Sequence, residues 1–495
     1  MNAPLHKEMP ATLDAAQALA QITRQWDGDI VRRLSDYIAV PAKSLAFDPD
    51  WAAHGFIDRV VRDAADWVLA QKVAGLALEV VRIDGRTPVI FFEIDGTQPG
   101  ATQTALMYGH LDKQPEFTGW RSDLGPWTPK YEDGKLYGRG GADDGYAVYA
   151  AIAAVQALKS QNVPHPRIVG LIETSEESGS PDLLPYIDAL RPRLGDVGLV
   201  VCLDSGAGNY DQLWLTTSLR GMVGGTLRVE VLTEGVHSGD ASGLVPSSFR
   251  VLRHVLDRLE DSATGHLLPA SLHCPIPPER VAQARQTAAI LGDSLFKRFP
   301  WVHYDCGGES RSVLPMTGDA VDALLTRTWR PTLSVTGAEG LPTLQDAGNV
   351  LRPATAFKLS LRLPPLVDGA QAAQALKRLL EDNAPYQARV TFHGEKASTG
   401  WNAPASAPWF AQALDAASQA HFGAPCGHIG QGGTIPLMTQ LSEGFPTAQM
   451  MVCGVLGPRS NAHGPNEFLH VPYAKKLTAA VAEVIARMPV TPQDN

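Results

Sequence analysis

Short, almost wholly apolar runs alternate with helix-length segments along the first 200 residues of this 495-residue chain. The runs 105–108 (ALMY), 167–173 (RIVGLIE) and 197–203 (VGLVVCL) read as buried strands. Between them, 144–160 patterns as an apolar helix and 182–194 as a second one. Strands joined through helices belong to a sheet covered on both faces, which makes them mostly parallel. The expected fold class is therefore α/β, with a mostly parallel mixed sheet flanked by helices. Ahead of it, the first 40 residues read as helix, with Leu13, Ala16, Leu19, Ile22 and Trp26 at three- and four-residue steps. Another helix covers about 55–73.

The texture changes near Thr217. Residues 223–232 and 357–363 alternate apolar with polar like half-exposed strands, each followed by a helical pattern, 246–261 and 369–383. Residues 388–393 continue that texture as a strand. After about residue 400 the first texture resumes, with helix 408–422, apolar strand 447–456 and terminal helix 473–488. The organisation expected is one α/β domain, 1–216 and 400–495, interrupted by an α+β domain, 217–399. Within the second, 265–350 is rich in proline and glycine and reads as an insertion.

Composition narrows the function classes. Lys+Arg number 42 against 52 Asp+Glu, a net charge of −10, which disfavours nucleic acid and anionic membranes as partners. No run of apolar residues reaches the length of a membrane span, and the N-terminus lacks the pattern of a secretory signal. The five cysteines are odd in number, scattered and without a CxxC pair, so neither a disulfide framework nor a thiolate metal site is expected. A soluble cytoplasmic enzyme fits this profile.

Polar clusters recur at one kind of place. His110-Leu-Asp112 follows strand 105–108, Glu176-Glu177 follows 167–173, and Asp204 ends 197–203. Asp143-Asp144 opens the helix after a glycine-rich turn, and His463 follows strand 447–456. Singly, each has an ordinary explanation: a chance His-x-Asp, acids favoured at a helix start, a solvated loop, a turn cap, a surface histidine. Five together at the carboxyl edge of one sheet, where α/β proteins bind ligands, point elsewhere. They would repel one another without cations between them. Two divalent ions supply +4 against −3 from Asp143, Glu177 and Asp204, with His110 and His463 neutral. Imidazole and carboxylate without sulfur suit zinc, manganese or cobalt.

The stretches YGHLD (108–112), DGKLYGRGGADD (133–144), ETSEESGS (173–180), CLDSG (202–206), GVHSGDASG (235–243) and AHGPNE (462–467) resemble the M20 family of dinuclear metallopeptidases. Residues 328–341 and 349–365 further resemble its carnosinase and nonspecific-dipeptidase branch. The resemblance implies a catalytic domain with a lid that also dimerises. It implies one ion held by His110, Asp143 and Asp204, the other by Asp143, Glu177 and His463, and a cis peptide between Asp143 and Asp144. Glu176 would be the general base and Asp112 the partner of the second ring nitrogen of His110. His237 would reach the oxyanion from the partner subunit of a homodimer. Arg362 would bind a substrate carboxylate. Gly432, Gly433 and Thr434 form a loop where backbone approaches substrate, and His393 would line the same pocket.

Two departures from the family pattern stand out. Where many relatives read Asp-Asp-Lys-Gly, this chain has Asp144-Gly145-Tyr146, so the lysine is missing and the local support of Asp143 differs. Gln431 stands where dipeptidases often carry glutamate before the paired glycines. A neutral Gln431 weakens the case for holding a free amine. The expected reaction is hydrolysis of an amide in a small peptide with a free carboxylate. Removal of an acyl group from an N-acyl amino acid is the alternative, and an inactive binding protein on the same fold the third reading.

Overall fold

A computed structural model describes residues 12–433 and 436–490. Ten strands build its two largest sheets: β1 Leu76–Val81, β2 Val89–Ile94, β3 Gln103–His110, β4 Arg167–Glu173, β5 Asp196–Cys202, β6 Gly221–Glu230, β7 Thr332–Glu339, β8 Ala354–Leu363, β9 Arg389–Ser398 and β10 Gln449–Val452. The six-stranded sheet runs β1-β2-β4-β3-β5-β10. Its β4, β3, β5 and β10 are mutually parallel, whereas β2 runs antiparallel to β4 and β1 to β2. β3 is buried along its whole length because it sits between two parallel neighbours with both faces covered. The mixed α/β class expected from the sequence is the one observed.

The chain divides into two compact units. One comprises Met1–Thr216, Ala403–Ile429 and Gln440–Asn495, and the other Thr217–Asn402 with Gly430–Thr439. In the first, helix Ala147–Ser160 is apolar on nearly every side and buried, and helix Val471–Ala486 packs against both it and Pro408–Phe422. The N-terminal helical stretch is not one regular helix. A π-helical turn at Trp26–Ile30 separates Ala15–Gln25 from Val31–Ile38, and there Asp29 accepts the indole N–H of Trp67 (2.6 Å) while Trp26 is buried.

In the second unit the order is β7-β8-β6-β9, all antiparallel neighbours. β6 alternates buried and half-buried residues along its length. Helices Ser248–Leu256 and Gly369–Glu381, capped by Ser247 and Asp368, lay Val251, Leu252, Val255, Leu376 and Leu380 into a core with Leu227, Val229, Leu359 and Leu361. The stretch 265–350 is more than an insertion. It contributes the edge strand β7 of this sheet, helices Pro278–Leu291 and Ala320–Trp329, and an exposed hairpin of His303–Cys306 with Glu309–Ser312.

One boundary differs from the sequence reading, which assigned all of 400–495 to the first domain. Gly430–Thr439 goes with the second unit. Its glycines permit that closeness: a Cβ at Gly430 would lie 2.7 Å from Ser218 Oγ and 2.9 Å from Thr328 Cβ.

Candidate metal centre

Three parallel strands and two loops of the first unit deliver its acids and imidazoles to one place. His110 is the last residue of β3, and Asp204 comes two residues after β5. Glu176 and Glu177 sit on the short turn Glu176–Ser178 that follows β4. Asp143 lies in the tight turn Gly141–Gly145 before helix Ala147–Ser160, with non-helical backbone (φ −130°, ψ 86°). Its peptide bond to Asp144 is cis, as the family resemblance implied. His463, at φ +64°, lies in the loop after β10.

Asp143 faces both imidazoles. Its Oδ1 is 3.5 Å from His110 Nε2 and its Oδ2 is 2.9 Å from His463 Nε2. Asp204 Oδ2 lies 3.8 Å and Glu176 Oε2 4.0 Å from His110 Nε2. Glu177 Oε2 lies 3.4 Å from His463 Nε2. In each of two triads, His110/Asp143/Asp204 and Asp143/Glu177/His463, one potential ligand atom per residue falls within 4.8 Å of the others.

The donors fit divalent cations. His110 Nε2 and Glu177 Oε1 are buried without a hydrogen-bond partner, which in a protein interior marks a group awaiting something else. His110 Nδ1 is turned the other way, 3.1 Å from the Asp112 carbonyl and 3.4 Å from its carboxylate, leaving the Nε2 lone pair toward the carboxylates. Imidazole nitrogen and carboxylate oxygen are both ordinary ligands of divalent cations.

The electrostatics are those of crowded acids. Burial, reinforced by Asp204, pushes Glu176 well above the usual carboxyl range, and burial with Asp143 and Glu176 does the same to Glu177. Asp204 is raised to about 7 by burial and Asp143. Burial opposes the Asp143 carboxylate too, yet the two imidazoles hold its pKa below the normal range. Burial likewise opposes the imidazolium of His110, but Asp112, Asp143 and Asp204 raise its pKa well above normal. Cations entering such a site displace protons.

Several supporting contacts escaped the sequence reading. Asp112 does more than face His110: its two oxygens accept the backbone N–H groups of Glu176 (3.1 Å) and Glu177 (3.0 Å). Gln114 donates to Glu177 Oε2 at 2.6 Å. Glu173, raised to about 7 chiefly by burial, accepts hydroxyls from Tyr108, Ser175 and Ser180, the last two flanking the Glu176–Ser178 turn. Tyr146 donates its hydroxyl to the carbonyl of Leu203 (2.6 Å), next to Asp204. Arg139 and Glu467 form a buried pair beside His463. For most, the sequence offered only adjacency to a motif.

The remaining expected site residues lie in the second unit. His237 is exposed, on the short strand Val236–His237 paired with Val350–Leu351. Arg362 is half-buried on β8, opposite Met222 and Thr332, and burial lowers its pKa. His393 is exposed on β9 opposite Thr226. Gly432 accepts Arg220 Nε at 3.4 Å through its carbonyl, and Gly433 is exposed. Thr434 lies outside the described residues. Arg220 is lowered to about 9 by burial and by the charges of Arg362 and Arg327, so each of those two cations lies near it.

The cysteinylglycine-S-conjugate dipeptidase of Corynebacterium striatum is 28% identical over 436 residues, 86% of this chain and 89% of that protein. The Beta-Ala-His dipeptidase of Homo sapiens is 28% identical over 368 residues, 72% of this chain and 69% of that one. The solved structure of the di-peptidase Dug1p from Saccharomyces cerevisiae shares the fold, with a TM-score of 0.74 at 21% identity over 96% of this chain and 98% of its own. The model for peptidase family M20/M25/M40 matches residues 106–487, most of the chain and every motif of the two triads, and the protein belongs to that family.

Proposed function

We propose that this protein is a cytoplasmic, homodimeric, two-metal dipeptidase that cleaves small peptides carrying a free carboxylate. The observation that carries the reading is Asp143, whose two oxygens each face a different imidazole in a site where His110 Nε2 and Glu177 Oε1 are buried and unsatisfied. Two divalent ions, zinc by preference, would be held by His110, Asp143 and Asp204 and by Asp143, Glu177 and His463. When bound, such ions supply Lewis acidity, polarising the scissile carbonyl and acidifying a water.

The residues do the rest. Glu176 belongs to neither triad and is free to take the proton from the attacking water and deliver it to the leaving amine as the C–N bond breaks. Asp112 orients His110 and the turn carrying Glu176. His237, supplied by the partner subunit through the lid, donates to the oxyanion. Arg362 binds the substrate carboxylate, a role supported by the second positive charge of Arg220 near it. Gly432, Gly433 and Thr434 bring backbone to the substrate, with His393 lining the same pocket. That two relatives are named as dipeptidases supports a dipeptide as the substrate. Among the described residues no helix is long and apolar enough to cross a membrane.

Gln431 favours a second reading, hydrolysis of N-acyl amino acids, because a neutral amide is a poor partner for a substrate ammonium. A panel of free-amine dipeptides and N-acetyl amino acids, assayed with zinc and after chelation, separates them. Chelation-sensitive cleavage of free-amine dipeptides is expected. Turnover of acylated substrates alone moves the assignment to a deacylase, and activity surviving exhaustive metal removal overturns both.

A further inference from the structure

We infer that the buried Arg139–Glu467 ion pair positions His463 and Glu177, the two ligands that belong to the Asp143/Glu177/His463 triad and not to the other, and so sets the affinity of that triad's ion. The inference rests on the two-ion reading above. Both side chains are essentially inaccessible, at 1% and 0% exposure, although the two residues lie 328 positions apart in sequence.

The guanidinium ties together the segments that carry the ligands of that triad. Nη1 donates to the Glu467 carboxylate. Nη2 donates to the carbonyl of His463 itself (2.9 Å) and to that of Gly464 (3.0 Å). Nε donates to the carbonyl of Pro115 (3.2 Å), the residue after Gln114, whose amide holds Glu177 Oε2 at 2.6 Å. The free end of Glu467 accepts the N–H of Gly140 (2.9 Å), three residues before Asp143, and its backbone carbonyl accepts that of Gly138 (3.0 Å). The pair therefore holds His463 directly, Glu177 through Pro115 and Gln114, and Asp143 at three residues' remove through Gly140.

Those segments need such a clamp. His463 sits at φ +64° and the turn toward Asp143 starts from Gly140 at φ +82°, so neither is held by a regular hydrogen-bond ladder. Gly140 has no room for a side chain, since a Cβ there would meet Lys113 Cγ at 2.8 Å. His110 and Asp204 are placed differently. His110 ends β3, and Asp204 follows β5 next to a carbonyl held by Tyr146. Disturbing the ion pair should thus loosen His463 and Glu177 most, and reach the other triad only as far as the shared Asp143 shifts.

The test titrates metal-free protein with Zn²⁺ against a competing chelator and counts bound ions after equilibrium dialysis. Arg139→Lys keeps the charge but loses the planar fork. Glu467→Gln keeps the shape and is the milder variant, carrying the test if Arg139→Lys does not fold by circular dichroism. Wild type should hold two ions. Either variant should hold one at the zinc concentration that fills wild type, with the weaker site's dissociation constant raised at least about tenfold. In a His463→Ala background, where that triad is already broken, adding either substitution should shift the remaining ion's affinity less than about threefold. Two ions at wild-type affinity in the variants, an equal loss at both sites, or a large shift in the His463→Ala background overturns the inference. Fewer than two ions on wild type overturns the two-ion reading itself, a distinct result.

Discussion

Replacing Asp112 with asparagine tests how the turn bearing Glu176 and Glu177 is held. Asp112 is fully buried, and each carboxylate oxygen accepts one backbone N–H, from Glu176 at 3.1 Å and Glu177 at 3.0 Å. Asparagine offers one oxygen and one NH₂, so in either rotamer one of these N–H groups faces a donor. A buried donor left unsatisfied costs about 1–3 kcal/mol. At about 1.4 kcal/mol per tenfold, that is roughly a 5- to 150-fold loss. If the turn yields on the Glu176 side, the loss falls on kcat; on the Glu177 side, it falls on metal affinity. Steady-state kinetics at saturating zinc beside a metal titration of the same preparation separates the two. Activity within about twofold of wild type with both ions bound would show that these two bonds do not position the turn.

Glu176→Gln should lower kcat by about 10²- to 10⁴-fold while elemental analysis still finds both ions, because Glu176 is in neither triad; a loss under tenfold rules it out as the general base. Arg362→Ala should raise KM roughly 10- to 150-fold for carboxylate substrates with kcat little changed, as expected for removal of a charge-assisted contact; an unchanged KM refutes that role. A pH effect is expected away from the metal centre. Burial, with the charge of Lys476, lowers buried His421 to about 4 against about 6.5 in the unfolded chain. The fold favours its neutral form, so this stability is fully present above about pH 6.5 and is lost as pH falls toward 4. Between pH 7 and 5 the loss is about 2 kcal/mol. Denaturant melts of chelator-treated protein should show that slope and His421→Leu should flatten it; parallel curves would refute the assignment.

Much of the framework was legible because its signals are local. The all-apolar runs that became β3, β4 and β5 are buried on both faces by neighbouring strands and helices, and a strand in that position has no room for polar residues. The alternation in β6 and β8 carried the half-exposed sheet of the second unit in the same way. The edges were harder. β1, β2 and β7 join their sheets through neighbours that no short window shows, and the π turn at Trp26 is selected by what Trp26 and Asp29 pack against rather than by helical period.

The same division holds at the metal centre. Sequence by itself determined which residue types gather at the carboxyl edge of the sheet, because a strand's end and the turn after it are adjacent in the chain. It also carried the family motifs. Tertiary structure alone decided the orientation of the groups: Asp143 between two imidazoles, Asp112 clasping two backbone N–H groups, and Arg139 meeting Glu467 across 328 positions. Hydrogen-bond partners are chosen by distance in space. That distance exists only after the chain has closed.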